Sequence, residues 1–342
     1  MKLSQALSLI EASYQSQTSG NALESVVLSY MSSPGQGKTS IVHQFVEHKR
    51  QDIENFGLVI LSLAQYDAGE IAGWLVEQAG QMVRLRPEWM PSEGYGVIFI
   101  DEWPQAPVAN QNIMAQLVNE RRIGEHSLPD GWSIVCAGNR MSDRAGTNQI
   151  PSHLRDRLTF VNVDFDLDEF VAHANKKGIS PVLKGLARFR PELFNQFDKD
   201  AMAFGSPRSW FKVDEICKWG LDTVVEMEAV AGQVGEGNAA EYYGYKKVFD
   251  TCPDIDKEII GNPSGAPIPD EPSVLYAVCA AIADRINPSN VEPCMAYLAR
   301  LPHQEFAVFT IKDAFTRDNK LVTNSKFRQF MLDNCRELMP KR

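Results

Sequence analysis

Long hydrophobic runs are missing from this sequence: no stretch has the length that a membrane-spanning helix needs. The opening residues, Met1 to Leu7, lack the apolar core of a signal peptide. Cysteine is sparse and dispersed, and Cys136, Cys217, Cys252, Cys279, Cys294 and Cys335 include no C-x-x-C pair. That spacing points to neither a zinc site nor a disulfide framework. Buried thiols in a reducing compartment are the simpler reading, and a cytoplasmic location follows from it. Basic residues are in the minority, 34 Lys and Arg against 44 Asp and Glu, for a net charge of −10. A broad nucleic-acid surface is usually basic, so this balance argues against one while leaving room for a local patch. No internal repeat is visible. What remains is ordinary: 342 residues, 44% hydrophobic and 23% charged, the profile of a soluble globular chain with two or three units.

The most informative stretch runs from Ser25 to Thr39. An apolar, β-branched run leads into a loop with Gly35 and Gly37, and Lys38 and Thr39 then open a helical stretch. Strand, loop and helix in this order cradle a triphosphate, because loop N–H groups and the positive end of the helix face the phosphates. Ser33, Pro34, Gly35, Gln36, Gly37, Lys38, Thr39 and Ser40 are therefore candidate nucleotide-binding residues. Lys38 would reach the β- and γ-phosphates, and Thr39 would place its hydroxyl on Mg²⁺. The pattern G-x-x-x-x-G-K-[ST] asks for glycine at position 32, where this chain has Ser32.

Before the loop, residues 1–18 read as an amphipathic helix through Leu3, Ala6, Leu7, Ile10 and Tyr14. After it, Leu58 to Leu63 is a continuous apolar run that suits a strand buried on both faces of a parallel sheet. Residues 66–95 leave two readings open, a helix over Ile71 to Val76 or a hairpin flanked by Leu75-Val76 and Met82-Val83. Val97 to Ile100 is a buried strand ending in Asp101 and Glu102. Asp101 would hold Mg²⁺ directly or through water, and Glu102 would polarise an attacking water; the plainer alternative is an acidic pair capping the next helix. A helix over 107–122, a short hairpin over 121–132 and a third buried strand, Trp132 to Ala137 closed by Gly138 and Asn139, follow. Asn139 could orient the water beside the γ-phosphate, or simply favour a turn. A short helix from Ile150 to Leu158 and a strand from Thr159 to Val163 complete an α/β pattern with a largely parallel sheet. Its ligand should sit beyond the carboxyl ends of the strands, where Lys38, Asp101 and Asn139 all fall.

Beyond about residue 165 the strand signal disappears. Helices are expected over Leu167 to Ala174, Pro207 to Lys218, Thr223 to Val234, Glu236 to Phe249, Val274 to Ile286, Val291 to Leu301 and Lys326 to Leu338. Residues 251–272 hold five prolines and two glycines among them and read as a linker or an extended crossing segment. Trp210, Phe211 and Trp219 read as packing residues, and His303 and Cys294 are isolated.

The set Pro34 to Thr39, Phe99 to Glu102, Ala137 to Asn139, Asp156 to Leu158 and Ser206 to Arg208 resembles the MoxR branch of the AAA+ ATPases. The order and spacing match across residues 25–215, and Trp132 and Gly205 to Arg208 are similar to that branch in particular. Val234 to Ala240, Leu301-Pro302 and Phe306 to Val308 resemble a phage- and prophage-type subgroup. The resemblance implies an AAA+ P-loop core with a parallel sheet flanked by helices (residues 1–165) and an all-helical lid (166–250). A Pro-rich linker (251–272) and a helical C-terminal extension (273–342) complete the expected division. It implies ATP and Mg²⁺, held between subunits of a ring that is usually a hexamer. Asn139 resembles the sensor, Arg208 the lid arginine that contacts its own subunit's nucleotide, and Arg157 the arginine finger offered to the neighbour, with Arg155 the alternative. Residues 68–90 and 121–131 match places where family members carry insertions that face the pore or a partner.

The first functional reading is an ATP-hydrolysing protein-remodelling chaperone that acts on a protein client, with a von Willebrand factor A-type partner implied by the resemblance. A nucleic-acid motor on the same fold is the second; its feature would be Arg84, Arg86, Arg121 and Arg122 on the insertions. A nucleotide-gated scaffold with little turnover is the third, supported by Ser32.

Overall fold

The computed structural model describes residues 1–20, 25–140, 143, 148 and 150–335. The chain divides into two compact units, Met1–Phe165 and Asp166–Arg342. In chain order the first contains α1 (Leu3–Thr18), β1 (Val27–Ser32), α2 (Lys38–Asp52), β2 (Gly57–Ser62), α3 (Ala68–Ala72), β3 (Leu75–Gln78), β4 (Gln81–Arg84) and β5 (Gly96–Asp101). It continues with α4 (Val108–Glu120), β6 (Arg122–Ile123), β7 (His126–Ser127), β8 (Trp132–Asn139), α5 (Ser152–Arg155) and β9 (Leu158–Asn162).

Five strands form one sheet in the order β2-β5-β8-β1-β9, every neighbouring pair parallel. Side chains alternate across it, as the two-residue period of a strand requires. Val97, Phe99, Val135, Ala137, Leu28 and Tyr30 pack with α1 and α2 on one face. Ile98, Ile100, Ile134 and Cys136 pack on the other with Met114, Leu117 and Val118 of α4. Covering on both faces explains why β1, β5 and β8 are nearly unbroken apolar runs. β2 departs from that expectation: it is an edge strand, and its Ile60 is 42% exposed. An edge strand has a neighbour on one side only, so an apolar run there is not fully enclosed.

Between β2 and β5 the hairpin reading holds. The helix α3 stops at Ala72, because Gly73 takes φ +86°, where a Cβ would lie 2.0 Å from Leu85 O, and β3 and β4 then pair antiparallel. The second hairpin, β6–β7, is tied to the first: Arg84 N donates to Glu125 Oε1 at 3.1 Å, and His126 Nε2 lies 2.8 Å from Arg84 O.

The second unit is helical throughout its described residues: α6 (Leu167–Lys176), α7 (Pro181–Phe189), α8 (Pro207–Cys217), α9 (Thr223–Val234), α10 (Glu236–Asp250), α11 (Pro272–Arg285), α12 (Val291–Leu298), α13 (Gln304–Arg317) and α14 (Ser325–Asn334). Residues 336–338 of the last expected helix lie outside the described residues. Two helices, α7 and α13, appear where none was expected. The Pro-rich segment does not stand apart from this unit. It holds a π-helical turn, Ile255–Ile260, and Ile255, Ile259 and Ala266 are buried in one core with residues of α11 to α14. Trp210 packs as expected, its indole donating to Leu193 O at 2.7 Å, whereas Trp219 is 60% exposed. Cys294 is a core residue, and no disulfide joins any of the six cysteines. Among the described residues no helix is long and apolar enough to cross a membrane.

The fold class expected from the sequence is therefore the one observed: an α/β core with a parallel sheet flanked by helices, followed by an all-helical region.

Candidate nucleotide site

The loop between β1 and α2 bends at Gly35 (φ +80°) and Gly37 (φ +86°), left-handed backbone that a side chain rarely adopts. Gly37 is the N-cap of α2, and the first backbone bond of the helix runs from Ile41 N to Gly37 O. Lys38, Thr39 and Ser40 are thus the first turn, where N–H groups lie ahead of the intrahelical ladder and favour an anion. Gln36 is buried in the loop and Ser40 is exposed.

Two side chains of this turn reach neighbouring strands. Lys38 Nζ donates to Asn139 Oδ1 at 3.1 Å, across 101 residues of sequence. It also reaches Ser32 O and Ser32 Oγ, each at 3.0 Å, and Ser33 O at 3.3 Å. Thr39 Oγ1 donates to Asp101 Oδ2 at 3.2 Å. The strand register delivers these partners: Ser32 at the end of β1 stands opposite Asn139 at the end of β8. The site lies where the order of strands reverses about β1, the usual ligand position of an open parallel sheet.

Glu102 sits on a strained corner, with φ +53° in the left-handed region. The corner is fixed from below. Trp103, fully buried, donates from Nε1 to Ser29 Oγ at 3.0 Å, and Asp101 Oδ1 accepts from Glu102 N at 2.9 Å. The Glu102 side chain is left exposed at the edge of the sheet. On β8, Gly138 leaves room for the ring of Pro104, since a Cβ there would lie 2.4 Å from Pro104 Cδ. Ser29, Trp103, Pro104 and Gly138 hold the site in shape, and sequence reasoning missed them; a serine inside an otherwise apolar strand was the one available signal.

Thr39 and Asp101 offer two oxygens side by side. That donor set suits a hard cation whose shell is completed by phosphate oxygens and water. Among the described residues no group of three or more His, Cys, Asp or Glu converges into a metal cage.

The arginines divide. Arg155 uses Nε and Nη2 on one acceptor, Ile150 O, at 3.1 and 3.0 Å. Arg157 donates from Nε to Asn119 Oδ1 at 3.0 Å and from Nη1 to His153 O at 3.0 Å, on the exposed rim. Arg208 belongs to the second unit, exposed in the first turn of α8 behind the Ser206 cap, whose Oγ accepts from Ser209 N. The four insertion arginines are turned onto their own unit. Arg84 donates to Gly73 O, Arg86 to Pro91 O, Arg121 to Trp132 O and Arg122 to Gly124 O.

Strand order, loop and edge residues together define a phosphate-loop α/β core. No protein-family model matches the chain, and no curated protein does. Among solved structures, a RuvB variant from Thermotoga maritima is 17% identical, over 87% of this chain and 86% of that one, with a TM-score of 0.41. NtrX from Brucella abortus, solved in complex with ATP, is 15% identical over 95% of this chain and 64% of that one, with a TM-score of 0.39. PCH-2 from C. elegans is 12% identical over 70% and 67%, with a TM-score of 0.35. At these scores the likeness is one of distant chain path and assigns no residue a role.

Proposed function

We propose that this chain is an ATPase of the AAA+ type, similar to the MoxR branch and its phage-like subgroup, that remodels a protein client. The observation that carries the reading is the convergence at one sheet edge. Lys38 meets Asn139, and Thr39 meets Asp101, across 101 and 62 residues of sequence. Lys38 and the first turn of α2 hold the β- and γ-phosphates of ATP. Thr39 and Asp101 hold Mg²⁺, which when bound neutralises phosphate charge. Glu102 takes a proton from the attacking water, and Asn139 orients that water.

A neighbouring subunit completes the site in a ring, with Arg157 as the finger, a role that its exposed position supports. Residues 166–250 act as a lid that brings Arg208 to the nucleotide. The 68–90 and 121–131 insertions and residues 273–342 serve the client or a von Willebrand factor A-type partner in the cytoplasm. Trp74, Leu75, Met82 and Leu85, exposed on the first insertion, fit such a contact. The nucleic-acid reading has less support, because two of its four arginines, Arg84 and Arg121, are partly buried and spend donors on carbonyls of their own unit.

The test is phosphate release from MgATP at subunit concentrations that permit assembly. Glu102→Gln is expected to lower turnover by roughly 10²- to 10⁴-fold while MgATP binding persists. Equal turnover by wild type and variant removes Glu102 from its role. Binding with negligible turnover by wild type favours the scaffold reading.

A further inference from the structure

The one residue that departs from the phosphate-loop pattern makes a contact that glycine could not. Ser32 is fully buried at the end of β1. Its Oγ donates to Ser33 O at 3.0 Å and accepts from Lys38 Nζ at 3.0 Å. The same ammonium reaches Ser32 O at 3.0 Å, Asn139 Oδ1 at 3.1 Å and Ser33 O at 3.3 Å. An ammonium has three protons to share among these acceptors. Glycine at position 32 would leave the carbonyls and Asn139 in place and remove the hydroxyl.

We propose that Ser32 is a positioning residue whose hydroxyl parks Lys38 against β1, in competition with the phosphates. The proposal rests on reading this loop as a nucleotide site. To reach a triphosphate, Lys38 trades protein acceptors for phosphate oxygens, and each acceptor it leaves opposes binding. The hydroxyl lowers affinity for nucleotide and lowers the reactivity of the Lys38 amine in its absence. It does not take part in bond breaking.

Two measurements on the full chain test this. The first is acylation of Lys38 by an amine-reactive ester without nucleotide, followed by mass spectrometry. The second is titration with MgATP. Ser32→Ala and Ser32→Gly are expected to acylate at Lys38 and to bind MgATP each about twofold to fourfold more strongly than wild type, part of one hydrogen bond, because three protons are shared among four acceptors. Ser32→Thr, which keeps the hydroxyl, is expected to acylate at the wild-type rate. Wild-type acylation rates in folded Ser32→Ala and Ser32→Gly, checked by their melting curves, overturn the proposal. So does MgATP affinity in both that is unchanged or weaker while Lys38→Ala abolishes binding. If wild type binds no MgATP yet the alanine variant still acylates faster, the nucleotide reading fails and the Ser32–Lys38 contact stands.

Discussion

The first unit brings a lysine and two carboxylates to one edge of its sheet and leaves them partly open, whereas the second buries a lysine and an arginine among carboxylate partners. Lys38 in the first turn of α2 and Asp101 at the end of β5 are half-buried, and Glu102, next to Asp101, is exposed. In the second unit Arg188 of α7 is buried with Asp313 of α13, donating from Nε at 3.1 Å and from Nη2, and Nη1 donates to Asp168 of α6 at 2.6 Å. Lys184, one turn earlier, is buried against Asp284 at 2.7 Å and Asn175 at 3.0 Å. Burial works against the Arg188 charge, but Asp313 and Asp168 outweigh it and hold its pKa above the ordinary value. Burial pushes the Asp313 carboxyl up, opposed by Arg188. The guanidinium stays charged, because arginine does not lose its proton in proteins. Both regions hold lysine and aspartate in polar clusters. Only in the first do those groups lie at the carboxyl edge of a sheet, where a ligand can replace protein partners. The second network joins α6, α7, α11 and α13 through Arg188 and Lys184.

This contrast can be broken by experiment. The largest effect is expected at the rim of the first unit, if a neighbouring subunit uses it. Arg157→Ala should lower MgATP turnover by about 10³-fold or more, the usual worth of an arginine finger. Arg155→Ala, whose guanidinium is committed to Ile150 O, should lower it far less. Turnover assays on both variants, and on mixtures with Lys38→Ala subunits, read the difference; a reversed ranking makes Arg155 the finger. Next comes Arg188→Ala, which leaves Asp313 buried without its partner. A loss of about 3–5 kcal/mol in denaturant unfolding is expected, and a loss below about 1 kcal/mol means the network is not structural. The smallest effect is expected from Gly138→Ala. Its new methyl meets the rigid ring of Pro104, which should cost about 1–3 kcal/mol and displace Asn139. Calorimetry measures the cost, and MgATP affinity reports the displacement; a variant as stable as wild type shows that Pro104 yields.

Much of the first unit was legible because parallel strands covered on both faces are continuous apolar runs, and these runs end in polar residues. Lys38, Asp101, Glu102 and Asn139 could be placed at strand ends for that reason. The four insertion arginines were not legible. Composition counts their charge, but only the fold shows that each gives a donor to a carbonyl of its own unit. Ile60 and Trp219 failed in the opposite sense: each is apolar, yet each is exposed. In the second unit α7 escaped notice although Ser180 caps it and Pro181 opens it. The Pro-rich segment misled by composition, since prolines around a π-helical turn do not prevent Ile255 and Ile259 from being buried.

By itself the sequence determined the loop, the strands that end around it and the change from α/β to all-helical near residue 165. These are local matters: side-chain period, glycine where φ is positive, apolar runs of strand length. Tertiary structure alone decided which strand ends are neighbours, that Glu102 is held on a strained corner by Trp103 and Ser29, and that Ser32 turns its hydroxyl onto Lys38. Strand order and register depend on how distant segments pack, and no residue's own preferences encode them.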